Sequence, residues 1–184
     1  MILRVNRPMQ IYEARPSDLD DVLTVERAAF GSDVEAGLVR DLLADPSAAP
    51  MLSLLAWDAG RAVGHVLFTT VRMGHATAPV SGMILAPLAV VPDVQGRGIG
   101  AALIREGLAL LGQRGVDLVF VLGHPGYYTR HGFEPATPRG LTAPYPIEPE
   151  AAWMVRALRP GLLGSVHGRV VCADVMTRPE YWRE

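Results

Sequence analysis

Gln95-Gly96-Arg97-Gly98-Ile99-Gly100 is the segment whose residue types point most directly to chemistry. Its three glycines stand between an apolar run, Met83–Val91, and a helical pattern from about Gly98 to Arg114. The first backbone N–H groups of a helix have no intrahelical partner, and the macrodipole adds partial positive charge there. Glycine lets a phosphate come close to the backbone. The amides from Gly96 through Gly98 and Gly100 to Ala101, with the guanidinium of Arg97, therefore make a candidate diphosphate cradle. The same glycines serve equally well to make a tight turn. A dinucleotide fingerprint would need G-x-G-x-x-G after the first strand. Here the spacing is G-x-G-x-G, and the loop follows the fourth or fifth strand. Asp117 begins the next strand where that fingerprint wants an acid at a strand end.

Other reactive groups are few. All 17 basic residues are arginine, which excludes a P-loop and a pyridoxal Schiff base, since both need lysine. The single cysteine, Cys172, sits in an apolar run (Val170–Ala173) and reads as core; it permits no intramolecular disulfide and fits a reducing, cytoplasmic setting. His124 and His131 lack a spacing that clusters metal ligands, so no metal site is expected. Neither a G-x-S-x-G elbow nor an H-E-x-x-H motif occurs.

The elements that must carry these residues read as one domain. Gln10–Ala14 is a first strand. Ser17 offers an N-cap to a helix with Leu19, Val22, Leu23, Val25 and Phe30 at helical spacing, and Asp33–Leu43 is a second helix. Met51–Trp57 and Ala62–Val71 form a hairpin across Asp58–Arg61. Met83–Val91, the glycine loop, the following helix and the buried strand Asp117–Leu122 make a βαβ unit, which requires parallel strands and a right-handed crossover. A short helix over Pro125–His131, a brief strand Phe133–Ala136 and a proline-rich loop Thr137–Pro149 follow. The chain then ends in a hairpin of Ala151–Leu158 with Arg169–Met176, whose strands can pair between subunits and so leave a homodimer open.

The 184 residues fit a single domain over 9–184, with 1–8 as an extension. A formal charge of −2 argues against a nucleic-acid partner. No apolar run reaches about 18 residues, so no membrane span is expected.

Flanking residues sharpen the loop's identity. Gln95-x-x-Gly98-x-Gly100, entered from Leu88-Ala89-Val90-Val91-Pro92, resembles motif A of the GNAT N-acetyltransferases. Tyr128-Thr129-Arg130-His131-Gly132-Phe133 resembles their motif B, one helix and one strand downstream. The order of elements from Gln10 to Phe133 is similar as well.

This resemblance implies an α/β (α+β) fold with a mixed sheet of about six or seven strands and about four helices. A V-shaped splay between strands 4 and 5 would receive the pantetheine arm of acetyl-CoA. It implies that Leu88, Ala89 and Val90 bind the cosubstrate, with an N–H near Ala89 or Val90 as the oxyanion donor. Gln95, Gly96, Arg97, Gly98, Gly100 and Ala101 would hold the pyrophosphate, and Tyr128 would protonate the CoA thiolate. The family's glutamate base has no counterpart on Met83–Val91; His65, His124, Glu26 and a chain of waters stand as alternatives. The acceptor, an amine on a small molecule or protein, would enter over the first two helices, Arg72–Gly82 and Thr137–Pro149, with Pro144, Tyr145 and Pro146 as lid or rim. Direct transfer in a ternary complex, a CoA-binding sensor without turnover, and a nucleotide-binding module are the readings open at this point.

Overall fold

The computed structural model describes residues 8–74 and 79–182. The eight-residue extension lies outside them up to position 7, as does part of the expected loop Arg72–Gly82. Among the described residues nine strands form: β1 (Gln10–Glu13), β2 (Leu52–Asp58), β3 (Arg61–Gly74), β4 (Gly82–Val90), β5 (Leu118–Leu122), β6 (Glu134–Pro135), β7 (Leu141–Thr142), β8 (Trp153–Ala157) and β9 (Gly168–Val171). The helices are α1 (Leu19–Phe30), α2 (Val34–Ala44), α3 (Ile99–Gln113) and the single turn α4 (Pro125–Tyr128). The main sheet runs β1-β2-β3-β4-β5-β8-β6, antiparallel except between β4 and β5. This is the mixed α/β architecture expected.

Packing explains which residues went where. The α1 side chains Val22, Leu23 and Val25 are buried, and the helix stops at Gly31 in the left-handed region (φ 68°), its N–H donating to Arg27. Ser17 does not cap α1; it lies in a 3-10 turn, Pro16–Asp18, in which Asp18 accepts from the Arg15 N–H. Phe68 and Gly64 of β3 meet α3, with Phe68 seated against Gly107.

The β4 strand carries one residue too many for its partner. Val66 faces Leu88 and Phe68 faces Leu85, so two steps on β3 match three on β4, and the bulge falls at Ala86-Pro87. Pairing with β5 runs from Gly82↔Leu118 to Leu85↔Val121 and stops there. Beyond Leu85 the two parallel strands are no longer joined.

The expected terminal hairpin does not form. β8 pairs with β5 and β6, whereas β9 pairs with the far end of β3 and with β7. After Val171 the chain turns away because polar groups of the Pro46–Ala48 turn capture it. Ser47 Oγ accepts the Asp174 N–H at 2.8 Å, and Asp45 accepts the Val175 N–H at 3.0 Å. The argument for subunit pairing through that hairpin therefore falls away.

A side chain at position 64 tests the fit of α3 on the sheet. A Cβ there would stand 2.9 Å from both Ile99 Cγ2 and Leu103 Cδ1. Overpacking of this kind costs about 1–3 kcal/mol, more than the roughly 0.5–1 kcal/mol gained by replacing a strand glycine. Gly64→Ala should lower the unfolding free energy by a net of about 1 kcal/mol, read as a lower urea midpoint with an unchanged m-value; an unchanged midpoint would contradict this packing.

Candidate active site

Two constructions meet where β4 and β5 part. The first is the glycine loop. Gly96 and Gly98 take positive φ (76° and 81°), and Gly98 is the N-cap of α3. The first intrahelical bond runs from Ala102 N–H to Gly98 C=O, leaving the amides of Ile99, Gly100 and Ala101 without helical acceptors. Arg97 is exposed beside them. Gly100 stands in close approach to Tyr127. A Cβ there would lie 2.8 Å from the Tyr127 hydroxyl and 3.6–3.7 Å from the side chains of Leu88 and Val90.

The second is the open edge of β4. Val91 N–H donates to Val63 C=O at 3.0 Å, so by strand alternation Ala89 also turns its amide toward β3. Leu88 and Val90 then direct theirs to the side that β5 has left. Of the two residues offered for the oxyanion donor, Val90 has the outward amide and Ala89 does not. The Gln95 side-chain amide donates to Val90 C=O at 2.9 Å and ties the loop back to the strand.

Tyr128 closes the cleft. It is 9% exposed, stands edge-on to Phe133 and lines a cavity of about 330 Å³ with Leu85, Pro87, Leu88 and Leu122. Its hydroxyl has no hydrogen-bond partner among the described residues, and burial, then the neighbouring Tyr127, pushes its pKa well above the usual 10. Tyr127 is half-buried and edge-on to Tyr128, with its hydroxyl over Gly100 rather than in this cavity. The Tyr-Tyr pair in the sequence gives no sign of this division.

The base candidates are placed very differently. His65, at 0% exposure, shares its ring nitrogens between Glu26 (Nδ1 to Oε1, 2.5 Å) and Ser53 (Nε2 to Oγ, 2.8 Å). Glu26 is equally buried, its Oε2 without a partner among the described residues. Desolvation raises its pKa, with the His65 hydrogen bond pulling it partly back. This three-residue chain ties α1 to β2 and β3 and does not line the cavity. His124 is exposed, and its carbonyl accepts the amides of Tyr127 and Tyr128 at the start of α4. Cys172 is buried, its thiol pushed up to about 12 by desolvation, so it carries no thiolate at neutral pH.

Three features escaped sequence reasoning. The cavity's outer wall is built by the C-terminal Met176, Glu180, Tyr181 and Trp182 rather than by Thr137–Pro149. Tyr145 instead braces that wall by donating to the Thr177 carbonyl. A larger groove of about 940 Å³ runs along α3 from Ala101, bordered by Arg105, Arg130, Arg156 and His131. Burial first, then the three arginines, hold the His131 pKa below its usual value. These arginines come from three elements, so no local pattern announces them. No helix among the described residues is long and apolar enough to cross a membrane.

Comparison with known proteins places this architecture. A model of the acetyltransferase (GNAT) domain matches residues 52–135. The uncharacterized N-acetyltransferase YjhQ of Escherichia coli K12 is 50% identical over 162 residues, 86% of this chain and 88% of its own. The crystal structure of the GNAT family N-acetyltransferase YhbS from Escherichia coli in complex with CoA superposes with a TM-score of 0.84 at 33% identity, covering 92% of each chain. A GNAT family acetyltransferase from Brucella melitensis in complex with acetyl-CoA gives 0.72 at 32% identity, over 91% of this chain and 97% of that one. Relationship at this identity and over this length makes the chain a member of the GNAT family of acetyltransferases.

Proposed function

We propose that the protein transfers the acetyl group of acetyl-CoA to a primary amine by direct attack within a ternary complex. The observation that carries this reading is the end of β4–β5 pairing at Leu85, which leaves the amides of Leu88 and Val90 directed to the side that β5 has left, with Leu88 and Tyr128 lining one cavity. The CoA and acetyl-CoA held by two structural neighbours support the choice of cosubstrate. The diphosphate would lie on the amides of Gly96 to Ala101, with Arg97 beside it, and the pantetheine arm along Leu88–Val90. The Val90 amide would stabilise the oxyanion as the amine nitrogen bonds to the thioester carbon.

When the C–S bond breaks, the thiolate takes the proton of Tyr128. Burial keeps that phenol protonated across the working pH range, so the acid is in its active form until sulfur charge develops beside it. His65 would reach an amine only through Glu26 or Ser53, whereas His124 meets solvent. The groove of Arg105, Arg130 and Arg156 begins at Ala101 and suits the remaining charged group of CoA, its 3′-phosphate.

Tyr128→Phe should lower kcat about 100-fold or more with little change in the KM for acetyl-CoA. Because the Tyr128 pKa is raised, its ionisation should add no alkaline limb to the wild-type pH–rate profile below about pH 10. Unchanged turnover in the variant would remove Tyr128 as the acid, and acetyl-CoA binding with no turnover for any amine would identify a sensor. Arg105→Ala with Arg130→Ala should raise the KM for acetyl-CoA about 10-fold or more and leave that for acetyl-dephospho-CoA unchanged, since each charge-assisted contact contributes about 1.5–3 kcal/mol. Equal loss for both cosubstrates would place the phosphate elsewhere.

A further inference from the structure

The cavity beyond Tyr128 has a one-sided charge complement. Its walls are apolar and aromatic: Phe30 from α1, Leu38 from α2, Pro87 from β4, and Met176, Tyr181 and Trp182 from the C-terminal segment. The ionisable groups on those walls are Glu35, Glu180 and Tyr128; among the described lining residues there is no arginine and no histidine. In a chain with 17 arginines, that absence of cations is a specific property of this surface. Ser32 Oγ donates to Glu35 at 2.8 Å and orients the carboxylate, while Glu180 stands exposed at the mouth.

The walls are preformed. The Trp182 indole donates to Met176 C=O at 2.8 Å, and its ring stands 5.9 Å from that of Trp153. At the mouth, Phe30 (43% exposed) and Val34 (60% exposed) present apolar surface to the outside. The Tyr128 hydroxyl, without a partner among the described residues, marks the end at which the chemistry occurs.

From this geometry we infer that the acceptor is a small cationic monoamine with an aryl or alkyl body and no carboxylate or phosphate. The inference rests on the acetyltransferase reading above and specifies its substrate class. Glu35 and Glu180 draw the ammonium group in at the mouth, with a cation–π contribution from Tyr181 or Trp182, and the aromatic walls hold the body once the neutral nitrogen has moved on to the Tyr128 end. An amino acid would bring its own carboxylate against two others with no cation to pair it. A cavity of about 330 Å³ lies at the small end of ligand sites, which run from roughly 300 to 1,000 Å³. The ammonium loses one proton to water before attack. Its nitrogen then bonds to the acetyl carbon, the C–S bond breaks, the thiolate takes the Tyr128 proton, and the second nitrogen proton restores Tyr128.

A matched pair tests this: phenethylamine and phenylalanine, which differ by one carboxylate, each assayed with acetyl-CoA for thiol release and N-acetyl product. Acetyl-CoA binding is measured separately by calorimetry. Phenethylamine should be preferred at least about 100-fold in kcat/KM, because a juxtaposed like charge costs several kcal/mol. The double variant Glu35→Gln, Glu180→Gln should raise the KM for phenethylamine about 10-fold or more and narrow that preference, leaving the acetyl-CoA affinity unchanged. Equal or better use of phenylalanine would overturn the inference. So would rejection of both amines by a protein that still binds acetyl-CoA and acetylates another acceptor. Failure to bind acetyl-CoA at all would instead bring down the acetyltransferase reading, and this inference with it.

Discussion

One strand, β4, is held to two incompatible registers, and the site exists because of it. Its first half is paired on both sides, to β3 and to β5. The additional residue at Ala86-Pro87 shifts its phase against β3, and Pro87 has no N–H to give to any neighbour. A strand in this position can follow β3 or β5 past Leu85, and it follows β3. Unpaired backbone polar groups inside a protein are costly, so the exposed edge is in effect a strand-shaped vacancy for something with amide groups of its own. Pantetheine has two such amides. The glycine loop, α3 and Tyr128 are then placed by short connections from the ends of β4 and β5.

The electrostatics differ across this opening. On the α3 side, Arg97 stands at the helix start, and Arg105, Arg130 and Arg156 outnumber the one carboxylate, Glu134, on the groove beside it. On the α1–α2 side, the charged groups that line the cavity are carboxylates. A phosphate-bearing cosubstrate and a cationic acceptor would therefore be drawn to opposite faces and meet at Tyr128. Arginine suits the first face particularly well, since its planar fork matches phosphate oxygens in pairs.

How much of this was legible in the sequence depended on how local the signal was. Gln95–Gly100 and the run from Tyr128 to Phe133 are contiguous, and each fixes its own backbone through glycine and helix-start geometry; both were readable. The βαβ order was readable for the same reason. The Glu26–His65–Ser53 chain was not, because its members come from α1, β3 and β2 and only the folded sheet aligns them. The cavity beside Tyr128 was hidden more deeply, since it joins the first two helices to the last described residues of the chain. There the run Arg169–Met176 read as a strand throughout. Side-chain acceptors on Asp45 and Ser47, far away in sequence, end it after Val171.

A crystal structure of the acetyl-CoA complex bears on the β4 opening most directly. The diphosphate should lie against the amides from Gly96 to Ala101, the pantetheine arm should bond Leu88 and Val90 in the space between β4 and β5, and the sulfur should come within hydrogen-bond reach of the Tyr128 hydroxyl. An acetyl-CoA whose arm avoids that space, or whose sulfur approaches Tyr127 over Gly100 instead, would contradict the central role given to the interrupted pairing.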